Sequence, residues 1–176
     1  FYGPRGIAVN ADGSVFVTDT GNKRIIVYDS DGNFITQIGE GGFAAGQFDE
    51  PVGISTDLQG RLYIADTWNQ RIQILSPSSA STYNPLTQWD IDGWYGKGIT
   101  NYPYITTDNE GNVFITDPEG MQIIEYTLEG KVVRFWGNPG SGPEGVNLPS
   151  GIVYDGQGGL WVTDTGNHRV IHFTLP

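Results

Sequence analysis

Two histidines, 20 acidic residues and one acidic turn are the groups in this chain that could perform catalytic or metal chemistry. His168 and His172 are four residues apart, a spacing that on a helix directs both rings toward one metal ion. On a strand, where each residue advances the chain by about 3.3 Å, the same spacing separates them by roughly 13 Å. Because the neighbouring sequence is strand-like, we do not predict a metal-binding histidine pair.

Other common sites are also missing from the sequence. There is no cysteine, which excludes thiolate catalysis, cysteine-ligated metals and a disulfide framework. Residues 29–33 read DSDGN, like the start of a calcium loop, but the glycine is at position four instead of six and the distal glutamate is absent. No Gly-x-Ser-x-Gly hydrolase elbow occurs. We therefore predict that residues 29–33 form an ordinary surface turn.

Composition sets the class of protein. Nine Lys and Arg against 20 Asp and Glu give a net charge of −11, which argues against binding to a nucleic acid backbone. No apolar stretch approaches the ~18–20 residues of a membrane span, so this segment is not expected to insert into a membrane. A targeting segment could lie outside a chain that begins at Phe1. The 26 glycines, 10 prolines and 12% aromatic residues predict short strands joined by tight turns.

One unit recurs four times and must position these residues. Each copy has a proline entry, an apolar strand, a glycine turn, a strand ending at an aspartate, and a further strand. The closing aspartates are spaced by 47, 51 and 47 residues, and they are Asp19, Asp66, Asp117 and Asp164. Strand repeats in the forties are typical of propeller blades. We predict an all-β propeller of four-stranded antiparallel blades and no substantial helix.

The predicted blades span approximately residues 4–48, 51–100, 103–147 and 149–176, within one domain or part of one. The fourth strands are expected at 34–38, at 131–136 and, after a long turn through 76–85, around 87–91. The last blade is expected to lack its outer strand. Six blades would need roughly 280 residues, so we expect the chain to be part of a longer polypeptide, with a compact four-bladed ring as the alternative.

The recurring string resembles the NHL repeat: Pro-x-Gly-Ile, then an aromatic-Val-Thr-Asp-Thr segment, then x-Asn-x-Arg-Ile. The resemblance spans nearly all 176 residues and is close in copies one, two and four. It implies a β-propeller that binds proteins, RNA or carbohydrates, with enzymes in the minority. Some bacterial members form outward-facing parts of membrane proteins or receptor kinases. The third copy departs from the pattern, because it lacks the Asn and the Arg after Asp117.

We expect the repeated polar residues to be structural. The Asn can bind local backbone and tolerate left-handed geometry, and the Arg can hold the Asp or a carbonyl of an adjacent blade. This structural set comprises Asp19, Asn22, Arg24, Asp66, Asn69, Arg71, Asp117, Asp164, Asn167 and Arg169.

A ligand or partner is expected on the face that carries the loops 39–50, 92–102 and 138–148, because loops on a rigid scaffold commonly hold function. Aromatic residues are enriched in interface anchors and carbohydrate platforms. The predicted binding face comprises Phe43, Phe48, Trp68, Trp94, Tyr95, Tyr102 and Tyr104. Any one of these rings could instead cover the rim of its own blade.

The predicted function is a non-catalytic interaction or scaffold module that binds a protein or a surface glycan. It is expected in a larger bacterial surface or membrane-associated protein, on the extracellular or periplasmic side, although a cytoplasmic location is not excluded. A cation-dependent, lactonase-like hydrolase or lyase is the alternative, and Ca²⁺ would then be its cofactor. The inner strands supply mostly apolar and hydroxyl groups, which are weak metal ligands, so no cofactor or metal is predicted.

Overall fold

The computed structural model describes residues 1–94 and 102–176, which divide into two compact units, Phe1–Ile91 and Asp92–Pro176. The predicted all-β fold is confirmed. The helical segments within these ranges are 3-10 turns of three residues each. No helix of the described chain is long and apolar enough to cross a membrane.

The first unit contains two antiparallel blades. Blade 1 consists of β1 (Ile7–Val9), β2 (Val15–Asp19), β3 (Arg24–Tyr28) and β4 (Phe34–Ile38), in that order. Blade 2 consists of β5 (Pro51–Thr56), β6 (Leu62–Asp66), β7 (Arg71–Ser79) and β8 (Thr82–Asp90). Each strand pairs with the next in sequence, as the short glycine-rich turns require.

The second unit contains the other two blades. Blade 3 consists of β9 (Ile105–Thr107), β10 (Val113–Asp117), β11 (Gln122–Tyr126) and β12 (Val132–Trp136). A short parallel pair follows, β13 (Asn138–Pro139) with β14 (Gly145–Val146). Blade 4 has three strands among the described residues, β15 (Pro149–Tyr154), β16 (Gly159–Asp164) and β17 (Arg169–Thr174).

The predicted long turn through residues 76–85 is wrong. Strands β7 and β8 continue through it as a hairpin, with Ser76 opposite Asn84 and Pro77 opposite Tyr83. The register shifts around this segment, which allows prolines to sit where the regular ladder is interrupted. The serines and prolines of residues 76–85 therefore led to the prediction of a loop, whereas most of this segment forms an irregular strand pair.

Each unit has an apolar core between its two blades. In the first unit, Phe16, Ile25 and Val27 of blade 1 pack in one cluster with blade 2 residues such as Leu62 and Ile64. In the second unit, Phe114 and Ile123 of blade 3 pack with Leu160 and Val162 of blade 4. Burying a side chain of this size stabilises the fold by about 1.5–3 kcal/mol. Alternate residues on each strand thus hold neighbouring blades together.

Candidate interaction surface

The aspartate that closes the second strand is the centre of a buried hydrogen-bond network in blade 2. Asp66 Oδ1 accepts the Asp49 N–H at 2.7 Å. Its Oδ2 accepts Asn69 Nδ2 at 2.9 Å and Arg71 Nε at 2.7 Å, and Gln73 Nε2 adds a donor at 3.0 Å. Because Asp66 is fully buried, these donors replace the water that a carboxylate otherwise binds.

Blade 1 repeats this arrangement. Asp19 Oδ1 accepts the Tyr2 N–H at 2.7 Å, and its Oδ2 accepts Asn22 Nδ2 at 2.8 Å and Arg24 Nε at 2.9 Å. The arginine therefore holds the aspartate as the sequence suggested. The asparagine also binds the aspartate, a partner that the expectation of local backbone bonding had missed.

Blade 4 contains the same network again. Asp164 accepts the Asn147 N–H at 2.7 Å, Asn167 Nδ2 at 2.8 Å and Arg169 Nε at 2.7 Å. The donor N–H lies 17 residues before the aspartate in all three blades. A constant offset means that each network fastens the start of its blade to the end of the second strand.

The left-handed residue in these turns is not the asparagine, as the sequence had suggested, but the residue after it. Lys23, Gln70 and His168 have φ values of 56°, 54° and 55°. Their backbone N–H groups bond to the first residue of the 3-10 turn and end it. The asparagine precedes this position because its side chain must reach the aspartate.

Blade 3 keeps the aspartate and has other residues at the asparagine and arginine positions. Gln122 stands at the arginine position, and its Nε2 donates to Asp117 Oδ2 at 2.9 Å. The Gly120 N–H donates to Asp117 Oδ1 at 3.0 Å. The third copy therefore retains the acceptor Asp117, and the residues at its asparagine and arginine positions donate to it with a backbone N–H and a glutamine amide.

Burial and hydrogen bonding compete in setting the charge state of the aspartates. Burial raises the pKa of Asp66 above its ordinary value, despite the donors from Asp49, Asn69 and Arg71. Burial also acts to raise the pKa of Asp19 and Asp164, but there the backbone, Asn and Arg donors prevail and the pKa is lowered. Asp66 is thus the costliest of these charges to bury.

The arginine of blade 2 also fixes the loop between the two blades of the first unit. Arg71 Nη1 donates to the Phe43 carbonyl at 2.8 Å. Its Nη2 donates to the Ala44 carbonyl at 3.1 Å and the Gln47 carbonyl at 2.8 Å. Asn69 Nδ2 adds the Gly42 carbonyl at 2.9 Å. The Arg71 and Asn69 side chains therefore fix the backbone of residues 42–47.

The loop between blades 3 and 4 is held in the same way. Asn167 Nδ2 donates to the Gly140 carbonyl at 2.9 Å, and Arg169 Nη2 donates to the Gly142 and Gly145 carbonyls, both at 2.7 Å. These acceptors lie at the same sequence distances from the Asn and Arg as Gly42, Ala44 and Gln47 do in blade 2. The two loops thus share three carbonyl contacts, and Ser141 occupies the position of Phe43.

Phe48 is a core residue rather than a ligand contact, which corrects the sequence prediction. It is fully buried in the first unit, as Val146 is at the equivalent position of the second. The glycines that precede them, Gly39 and Gly137, have φ values of 80° and 84°. A Cβ on Gly39 would lie 2.3 Å from the Phe48 ring, so the loop folds around this buried side chain.

Trp94 is also buried, with 1% of its surface exposed, and its Nε1 donates to the Thr116 carbonyl at 3.4 Å. Its assignment to a binding face is wrong for the same reason. Trp68, Tyr102 and Tyr104 are half-buried. Tyr95 lies outside the described residues. Phe43, 76% exposed, is the predicted aromatic that most fully faces solvent in the described chain.

The first-unit loop surface is defined here as residues 39–50 together with Trp68, whose N–H donates to the Asp49 carbonyl at 3.0 Å. Lys23 Nζ pairs with Asp49 at 2.8 Å at its border. The surface presents an exposed phenyl ring on a rigid loop. Apolar contact of this kind is suited to anchoring a partner rather than to acid–base chemistry.

Three aspartates form Asx turns, a structural role that the sequence analysis did not predict. Asp57, Asp108 and Asp155 each accept two backbone N–H groups of the hairpin between the first two strands. Their regular spacing in the sequence is the signal that could have identified them. The DSDGN segment also forms a turn, with Asp29 Oδ1 accepting the N–H groups of Asp31 and Asn33.

The two histidines occupy different structural environments. His168 follows the last 3-10 turn and ends it, whereas His172 in β17 approaches Asp155 at 3.1 Å and packs against Trp161 with ring centroids 4.5 Å apart. Within residues 1–94 and 102–176, no three His, Asp or Glu side chains converge as metal ligands.

Comparison with known sequences identifies the NHL repeat at residues 1–28, 48–75 and 146–173. The matches fall on blades 1, 2 and 4 and omit the divergent third copy. Protein brain tumor of Drosophila melanogaster is 29% identical over 140 residues, which are 78% of this chain and 12% of that protein. Human NHL repeat-containing protein 3 is 29% identical over 66 residues, covering 36% and 19%. The chain therefore spans less than a fifth of these relatives.

Solved structures share the fold. A chain of a nidogen/laminin complex has a TM-score of 0.69 at 22% identity, covering 97% of this chain and 60% of that one. A catalytically inactive virginiamycin B lyase from Staphylococcus aureus, with quinupristin, has a TM-score of 0.65 at 17% identity, covering 98% and 56%. At such identities these likenesses show the β-propeller fold alone.

Proposed function

Since the chain belongs to the NHL-repeat β-propellers, we propose that it is a non-catalytic interaction module that binds a protein through the first-unit loop surface. The observation that carries this proposal is the exposure of Phe43 on a loop that does not need it. The equivalent loop keeps three of the four carbonyl contacts with Ser141 at that position. An aromatic ring that the scaffold does not require is available for recognition.

The rigidity of the loop supports the same conclusion. Arg71 and Asn69 bind four loop carbonyls, so Phe43 is presented without much further loss of backbone freedom on binding. A large side chain held in this manner is typical of an interface anchor. The nidogen/laminin complex among the similar structures is a protein assembly, which makes a protein partner the first choice.

The test is affinity capture with a matched pair of variants. Phe43→Ser copies the loop of the second unit and should fold normally, while its partner is retained about tenfold less or lost, as for an interface anchor. Phe34→Ala is the control, because Phe34 is 62% exposed on β4, away from the loop. Quantitative mass spectrometry of captured proteins compares them. A partner retained equally by both variants contradicts the proposal. Capture of glycans but no protein would indicate that the surface binds carbohydrate instead.

A cation-dependent hydrolase or lyase has weaker support. The lyase among the similar structures shares the fold at 17% identity, which does not transfer an activity. The buried carboxylates of Asp19, Asp66 and Asp164 are each paired with an arginine and are not available as ligands. Stoichiometric metal in the purified protein together with a chelator-sensitive activity would overturn the non-catalytic assignment.

A further inference from the structure

The side chain of Gln47 connects an acidic residue to the tip of the first-unit loop. Gln47 Nε2 donates to Glu40 Oε1 at 2.9 Å, and Gln47 Oε1 accepts the Ala44 N–H at 3.1 Å. Since Ala44 directly follows Phe43, a single amide group separates the Glu40 carboxylate from the backbone beside the exposed ring. A carboxylate and a phenyl ring are therefore held in one small region of the loop.

The second-unit loop has none of these three side chains. At the positions of Glu40, Phe43 and Gln47 it has Asn138, Ser141 and Gly145, 98 residues later in each case. Its contacts from Asn167 and Arg169 to the loop carbonyls form all the same. The acid, the ring and the amide that links them are thus additions to a loop that is fixed without them.

The charge of Glu40 has no cationic partner among residues 1–94 and 102–176. Its side chain is exposed, and within these ranges its Oε2 accepts no hydrogen bond. Lys23 lies close by, because a Cβ on Gly41 would be 3.1 Å from its Cδ, but its Nζ pairs with Asp49 at 2.8 Å. The carboxylate of Glu40 is therefore open to a cation supplied by another molecule.

A guanidinium group matches this combination of a carboxylate and an exposed ring. Its plane stacks on an aromatic face while its N–H groups donate to a carboxylate, whereas an ammonium is a compact point charge without a flat face. The net charge of −11 also attracts positively charged surfaces over a longer range. Of the basic side chains that a protein partner could offer, arginine fits the loop best.

We propose that Glu40 and Phe43 together bind an arginine side chain of the protein partner. The guanidinium lies over the Phe43 ring and donates to Glu40 Oε2, while Gln47 keeps the carboxylate in position through Oε1. This inference rests on the proposed function, since it names the group that the first-unit loop surface recognises. It can fail while the surface itself remains the binding site.

The first test is an NMR titration of the 15N-labelled full chain with N-acetyl-arginine amide. Saturable shift changes are expected at the backbone amides of residues 40–44. N-acetyl-citrulline amide has nearly the same shape without the charge and should bind about fivefold more weakly, as for the loss of an exposed ion pair. No saturable change, or equal binding of citrulline, overturns the proposal. Equal binding of N-acetyl-lysine amide overturns the assignment to arginine.

Two matched variants locate the site. Glu40→Gln keeps the size of the side chain and should remove the difference between the arginine and citrulline probes. Glu144→Gln removes an exposed acid from the second-unit loop and should preserve that difference.

Retention of the captured partner separates this inference from the proposed function. Glu40→Gln should retain the partner about fivefold less, with a smaller loss at high salt, because an exposed ion pair is screened. Full retention by Glu40→Gln together with loss in Phe43→Ser would overturn the arginine contact and leave the loop surface as the binding site. Full retention by both variants would overturn both proposals.

Discussion

The repeat arginines of blades 1 and 2 each bind the closing aspartate and further groups, and these further groups differ between the two blades. Arg71 is nearly buried and binds the Asp66 carboxylate, three loop carbonyls and Gln88. Arg24 is about one-third exposed and binds Asp19 and Gln37. The same residue type is thus a loop anchor in one blade and a partly solvated ion pair in another.

Replacing these arginines with glutamine, the natural residue of blade 3, should therefore have unequal effects. Arg71→Gln removes a buried charge from beside Asp66 and releases the loop carbonyls, so we expect the free energy of unfolding to fall by about 2–4 kcal/mol. Arg24→Gln should cost no more than about 1 kcal/mol, since its ion pair is partly solvated. Urea denaturation measures both. Equal losses would refute the anchoring role of Arg71.

The sequence predicts only part of the conformation of the loops that contain Phe48 and Val146. Gly39 occupies left-handed backbone and lies against the Phe48 ring, and Gly137 lies in the same way against Val146. Alternating strands and their turns could be predicted from periodicity. The burial of Phe48 could not, because an aromatic residue in a glycine-rich loop has the same local signature whether it points inward or outward.

Gly39→Ala and Gly32→Ala separate packing from backbone strain. Gly32 has a φ of 82°, close to the 80° of Gly39, but nothing lies within 4 Å of where its Cβ would be. Gly32→Ala should cost about 1–2 kcal/mol from strain alone. Gly39→Ala adds the clash with Phe48 and should cost about 2–4 kcal/mol. Thermal and urea unfolding of both variants test this, and a smaller loss for Gly39→Ala would show that Phe48 is not fixed in the core.

The sequence suggested that an arginine could bind a carbonyl near the adjacent blade, but it could not identify which carbonyls. The Asp, Asn and Arg positions were evident from the repeat, and the Arg–Asp contact formed as expected, whereas the Asn–Asp contact was not anticipated. Their loop partners are backbone carbonyls lying 24–28 residues earlier. A backbone carbonyl has no residue type, so no pattern in the sequence marks which ones an arginine will bind.

At the scale of the whole molecule, repetition supplies the scaffold and departures from it supply the individual features. The motif shared by copies one, two and four predicts similar hydrogen bonding in these blades, and the structure shows the same Arg–Asp bond in all three. The functional candidate is such a difference, namely Phe43 in place of Ser141. Counting repeats in the sequence predicts the shared scaffold well. The departures become evident only when equivalent positions of the blades are compared in the structure.

Hydrogen exchange of the full chain, with and without its captured partner, tests the central claim most directly. Binding through the first-unit loop surface predicts increased protection of residues 41–48, with the hairpin turn at residues 29–33 unchanged, and loss of that protection in Phe43→Ser. Protection that leaves residues 41–48 unaffected, or that persists fully in Phe43→Ser, would contradict the assignment of this surface as the binding site.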